Sequence, residues 1–128
     1  MTTLLVGIGG ALGSILRYWA GGLAQQAAGG AAGGFPVGTL LVNVVGCLAI
    51  GGLAQLAEER QYPGAEARAF LMVGLLGGFT TFSAFANETM TAWRSGAVMV
   101  AAVNVVLSVT ACLAGVAAGR AAMAALVK

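Results

Sequence analysis

The sequence predicts an all-α integral membrane protein, a single domain over residues 1–128 with four transmembrane helices per subunit, the third of them broken in mid-membrane. Three observations lead there. The chain is 59% hydrophobic and only 8% charged, with no histidine and a mean hydropathy of +0.94. A soluble domain of this length needs far more polar surface. Its formal charges are Arg17, Glu58, Glu59, Arg60, Glu66, Arg68, Glu88, Arg94, Arg120 and Lys128, and the charge-free runs between them can cross a hydrocarbon core of ~30 Å, which takes ~20 helical residues. Finally, Gly77-Gly78-Phe79-Thr80-Thr81-Phe82-Ser83-Ala84-Phe85 puts a glycine pair and three hydroxyls inside a long apolar segment. Glycines weaken a helix, and hydroxyls can satisfy the backbone groups that a break frees.

The first span is expected from about Thr3 to Ala20. Met1-Thr2-Thr3-Leu4-Leu5 has no basic n-region and no evident cleavage site, so it reads as the start of a span rather than a signal peptide. Arg17-Tyr18-Trp19 has the makeup of an interfacial anchor. Gly21 to Pro36, with Gly29-Gly30-Ala31-Ala32-Gly33-Gly34, is too glycine-rich for a helix and is assigned as a loop. The second span covers about Val37 to Ala57, and a charged hairpin from Glu58 to Arg68 turns at Tyr62-Pro63-Gly64. The third, Ala69 to Trp93, measures ~37 Å as a straight helix. That exceeds the hydrocarbon thickness, so it tilts, overhangs or breaks, and Gly77-Gly78 offers the break. The fourth occupies about Ala97 to Gly119 and ends at Arg120.

Gly9 with Gly13, Gly74 with Gly78 and Gly115 with Gly119 recur at spacing four, a pattern that lets helices approach closely in lipid. Four spans make a thin bundle, hard pressed to enclose a polar pathway alone, which favours a homodimer. With so few basic residues the orientation bias is weak, and an antiparallel pair is one arrangement this permits. Cys47 and Cys112 lie in apolar runs and read as small core residues, with neither a disulfide nor a metal pair indicated. A net charge of +2 without a basic cluster argues against nucleic-acid binding. The lack of histidine, of a membrane aspartate and of any nucleophile beside a base argues against an enzyme.

Polar residues inside the spans are few: Thr39, Asn43, Asn87, Glu88, Asn104, Ser108 and Thr110 outside the central motif. Each can serve interhelical hydrogen bonding or line a pathway. Glu88 is the only acid within a span, and an intramembrane carboxylate is a functional candidate, although five residues before Trp93 it can also reach the interface. Phe79, Phe82 and Phe85 recur every three residues among Thr80, Thr81 and Ser83. Ring edges carry positive charge and ring faces negative, so edges would meet an anion and faces a cation. Edge contacts of ~1 kcal/mol cannot offset anion dehydration alone, so Asn43, Asn104 and Ser108 would have to share the load as donors.

Gly9-Gly10-Ala11-Leu12-Gly13-Ser14-Ile15-Leu16-Arg17-Tyr18, Gly38-Thr39-Leu40-Leu41-Val42-Asn43-Val44-Val45-Gly46 and Gly74 through Phe85 resemble the motifs of the first three spans of the Fluc family of small bacterial fluoride channels. The resemblance covers nearly the full chain. It implies a passive, fluoride-selective channel of the bacterial cytoplasmic (inner) membrane that exports F⁻ for fluoride resistance. It further implies an antiparallel, dual-topology homodimer with two pores and a structural Na⁺ at the dimer centre. By that resemblance the Na⁺ is held by the backbone carbonyls of Gly77 and Thr80, while Phe82, Phe85, Asn43 and Ser108 line the fluoride path. Thr39 and Glu88 are the further pore candidates, and Phe79 is left to packing. Asn104 and Cys112 depart from the family pattern, standing where an aromatic and a small hydroxyl residue are usual. The alternative is a small four-helix proton-coupled multidrug exporter, for which Glu88 would be the sole carboxylate.

Overall fold

A computed structural model describes residues 1–30 and 34–127. The described residues are helical apart from short connections, and four helical spans are long and apolar enough to cross a membrane: Thr2–Ala27, Val37–Arg60, Ala65–Arg94 and Val98–Leu126. We name α1 Thr2–Ala27, α2 Val37–Arg60, α3 Ala65–Arg68, α4 Gly77–Phe79, α5 Phe82–Arg94 and α6 Val98–Leu126. Between α3 and α4 the third span winds as a wider π-helix over Ala69–Leu76.

Two seams hold the bundle, α2 on α6 and α1 on the π-helical segment. Both are built where side chains are missing. A Cβ on Gly13 would meet the Leu75 carbonyl oxygen at 2.0 Å, and one on Gly119 the Leu48 carbonyl oxygen at 2.0 Å. Gly9 and Gly74 face one another in the same way, and a Cβ on Gly78 would meet the Gly10 carbonyl oxygen at 2.4 Å. The glycine pairs at spacing four are therefore the contact lines themselves. Close backbone approach replaces the hydrophobic drive that lipid cannot supply.

Four expectations about where the helices run need correction. The first helix does not stop at Ala20 but continues through Gly21 and Gly22 to Ala27. The reason is tertiary: the backbone of Gly21 lies against Gly38, where a Cβ on Gly38 would come within 2.3 Å of the Gly21 carbonyl oxygen. Beyond it, Gln25 pins the connection, donating to the carbonyls of Gly30 and Phe35 and accepting from the Gly38 amide. The glycine tract is a loop only beyond this point, and Ala31, Ala32 and Gly33 lie outside the described residues.

The charged hairpin is mostly helical as well. Only Gln61 to Gly64 leave the helices, because Gln61 takes the left-handed conformation (φ 50°) and Pro63 cannot continue the helix. The fourth helix runs to Leu126, past Arg120, whose guanidinium is held by Glu58 at 2.6 Å and by Gln55.

The last correction concerns the break. Gly77 and Gly78 are helical; the chain leaves the helix at Thr80 and Thr81, which are extended (φ/ψ −92°/160° and −153°/118°). Two β-branched residues in succession favour extended backbone. Gly78 instead serves close packing against Gly10.

Candidate functional site

The break leaves backbone polar groups to be satisfied in a place without bulk water. Thr80 N–H still donates to the Leu76 carbonyl at 3.0 Å, and the Thr80 hydroxyl joins it at 2.9 Å. Asn43 of α2 then takes over the helix's role. Its Oδ1 accepts from Thr81 N–H at 2.7 Å, and its Nδ2 donates to the Thr81 carbonyl at 3.0 Å. The Thr81 hydroxyl caps α5 by accepting from Ala84 N–H at 3.1 Å.

These diversions leave the Gly77 and Thr80 carbonyls without their helical partners, and the Phe79 carbonyl, whose partner would be Ser83 N–H, loses its own across the break. In a continuous helix Gly77 would accept from Thr81 N–H and Thr80 from Ala84 N–H. Both amides are committed elsewhere, and among the described residues no backbone amide outside the helices replaces them. The intervening Gly78 carbonyl accepts from Arg17 Nε at 3.0 Å. Uncapped carbonyls at the carboxyl end of a broken helix are the donor set a hard cation such as Na⁺ takes. Gly77 and Thr80 therefore fit the cation that the resemblance implies.

Arg17 is not an interfacial anchor. It lies ten residues, or ~15 Å, before the end of α1, and its guanidinium reaches the break. The wrong assignment followed from ending the first helix too early.

Two cavities divide the candidate residues. The first, of about 410 Å³, is lined by Asn43, Gly77, Thr80, Phe82, Phe85 and Ser108 among others. The ring centroids of Phe82 and Phe85 are 5.3 Å apart with planes inclined at 48°. Phe85 is 9% exposed, whereas Phe82 is 78% exposed in the single chain. Gly77 and Ser83 are exposed too, so the break opens on the outer face of the subunit.

The second cavity, about 700 Å³, is lined by Arg17, Thr39, Asn87 and Glu88, and Thr81 borders both. Here the Thr39 hydroxyl donates to Glu88 Oε1 at 2.7 Å, while Glu88 Oε2 is buried without a partner among the described residues. Thr39 and Glu88 thus form a pair that stands apart from the phenylalanines.

A buried hydrogen-bond chain ties α6 to α5. Ser108 donates to Asn104 Oδ1 at 3.2 Å, Asn104 Nδ2 donates to the Thr89 hydroxyl at 2.8 Å, and Thr89 donates to the Phe85 carbonyl at 2.7 Å. Asn104 is 2% exposed and Ser108 6%. Sequence reasoning missed Thr89, which carries no motif of its own, and it gave the motif's hydroxyls the task of satisfying freed backbone groups without singling out Thr81 as the cap of α5. The serine-threonine N-cap preference was the available signal for the latter.

Chemically, the break brings together a carbonyl terminus that favours a cation and the amino terminus of α5, which favours an anion. Aromatic rings and the Ser108 hydroxyl stand beside it. A family model described as "CrcB-like protein, Camphor Resistance (CrcB)" matches residues 4–120. Among curated relatives, one from Rhodospirillum rubrum is 48% identical over 118 residues, covering 91% of this chain and 89% of the relative. One from Paracoccus denitrificans is 49% identical over 123 residues (93% and 94%), and one from Rhizobium etli 45% over 124 (97% of each). All three bear the name "Fluoride-specific ion channel FluC".

Proposed function

The chain belongs to the CrcB-like family, a family of multi-pass bacterial membrane proteins, and from this we propose that it is a fluoride-selective channel letting F⁻ leave the cytoplasm passively, for fluoride resistance. One observation on the chain itself carries the reading. The broken third span sets uncapped carbonyls, phenylalanine rings and a hydroxyl donor around one mid-membrane cavity. Family membership sets the exporter alternative aside, and the same membership makes the protein a channel and not an enzyme.

Fluoride in this path loses its water to the Phe82 and Phe85 edges, with the Arg17 charge nearby at the break. The Ser108 hydroxyl, whose single proton is given to Asn104 Oδ1, would have to turn from that bond to meet the anion. Asn43 acts chiefly by holding the break: one amide hydrogen and one acceptor site are already committed to Thr81. Its second N–H remains for an anion. Thr39 and Glu88 belong to the wider cavity at one end of the path. The Thr39 proton is given to Glu88, so the pair relays or screens charge there rather than binding fluoride directly.

The exposure of Phe82, Ser83 and Gly77 supports a partner copy over this face, in an antiparallel homodimer with two pores. Na⁺ at its centre would be held by Gly77 and Thr80 carbonyls of the two copies. It would supply a permanent positive charge, which lowers the cost of bringing an anion into a low-dielectric site. The test is ion efflux from vesicles reconstituted with the purified protein. Fluoride release driven by membrane potential, without a proton gradient, supports the channel, and release that requires a proton gradient contradicts it.

A further inference from the structure

We propose that Cys47 and Cys112 form a dithiol site for soft, thiophilic metal ions inside the mid-membrane cavity, and that its occupation closes the fluoride path. The two residues lie 65 positions apart in sequence, on α2 and α6. The tight seam between these helices brings them together: a Cβ on Gly115 would stand 3.5 Å from the Cys47 Cβ. Both line the cavity that holds Asn43, Phe82, Phe85 and Ser108, so the two thiols share one space. Neither is in a disulfide, and each is only half-buried, so a small ion can reach them.

The chemistry of the lining selects the ligand. Among the described residues no carboxylate borders this cavity, and its oxygens belong to neutral groups: the Asn43 amide, the hydroxyls of Thr80, Thr81 and Ser108, and the carbonyls of Gly77 and Thr80. Such neutral oxygens suit a monovalent ion, and a hard divalent ion would find no anionic ligand to balance its charge. Zn²⁺ prefers four ligands, and only two sulfurs are offered. A soft d¹⁰ ion content with two sulfurs fits both limits, since two thiolates neutralise a divalent charge and leave a neutral complex in an apolar site. On binding, two S–H bonds break, two metal–sulfur bonds form and two protons pass to solvent. No oxidation state changes.

Closure rests on the channel reading above, because the bound ion would occupy space beside Phe82, Phe85 and Ser108. Binding does not. The experiment titrates reconstituted protein with Hg²⁺, counts free thiols by maleimide labelling and mass spectrometry, and follows fluoride efflux in parallel. The expected result is one Hg²⁺ per chain with loss of two thiols, and affinity at least 100-fold weaker in either C47A or C112A. Efflux should fall at least tenfold, measured against each variant's own uninhibited rate, recover on adding a competing small dithiol, and be untouched by Zn²⁺.

Independent uptake of one Hg²⁺ per thiol, or single-cysteine variants that bind as tightly as the parent, would overturn the shared site. Shared binding with undiminished efflux would overturn the closure and take this cavity off the fluoride path, while leaving the dithiol itself standing.

Discussion

Replacing Asn43 by alanine tests the claim that the break is held from outside the third span. The side chain makes two hydrogen bonds to one residue's backbone, 2.7 Å from Thr81 N–H and 3.0 Å to the Thr81 carbonyl. Truncation orphans both groups, at about 1–3 kcal/mol each, so the broken conformation loses roughly 2–6 kcal/mol. Within a bilayer, competing conformations find partners of their own, which favours the lower end. A loss of ~2 kcal/mol is a factor of about thirty in the equilibrium. The freed Thr81 amide can then return to the Gly77 carbonyl, healing the helix and removing one proposed cation ligand. We expect N43A to lose at least thirty-fold in fluoride efflux and to change the hydrogen exchange of the Thr81 amide. N43D keeps the acceptor for Thr81 N–H but loses the donor to its carbonyl, so it should lie between. Wild-type efflux in N43A with unchanged exchange at Thr81 would refute the reasoning.

Other expectations are equally direct. G13A forces a Cβ onto the Leu75 carbonyl oxygen, whereas Gly22 has nothing within 4 Å, so G13A should lower thermal stability sharply and G22A should be neutral or raise it by up to ~1 kcal/mol. Equal melting temperatures for the two would contradict the seam. F82I should abolish efflux with little effect on the fold of the subunit, since Phe82 is largely exposed in the single chain; unchanged efflux would remove Phe82 from the path. Exchanging Na⁺ for a bulky organic cation should shift dimer to monomer in size-exclusion chromatography and lower efflux, both restored by Na⁺. Full activity after exhaustive Na⁺ removal would speak against the cation.

Much of the fold was legible because charge-free length is an unambiguous signal in a membrane chain, and the four spans emerged in order. The existence of a break was legible too, from length and from the hydroxyl-rich motif. Its position was not. Gly77 and Gly78 weaken a helix locally, but whether a glycine breaks it or packs depends on what stands opposite, and here Gly10 does. Thr80 and Thr81 break because Asn43, 38 residues earlier in sequence than Thr81, offers replacement hydrogen bonds. The length of α1, and with it the place of Arg17, depended on Gly38 and Gln25 for the same reason. The placement of Cys47 and Cys112 on one cavity follows from the α2–α6 seam. In each case the missing information was a tertiary partner rather than a local propensity.

Efflux from proteoliposomes containing the purified chain, followed with fluoride and chloride electrodes under a potassium-diffusion potential and equal pH on both sides, tests the central claim most directly. The account predicts rapid fluoride release and chloride release no faster than from protein-free vesicles. Chloride release at a comparable rate, or fluoride release no faster than from empty vesicles, would contradict it.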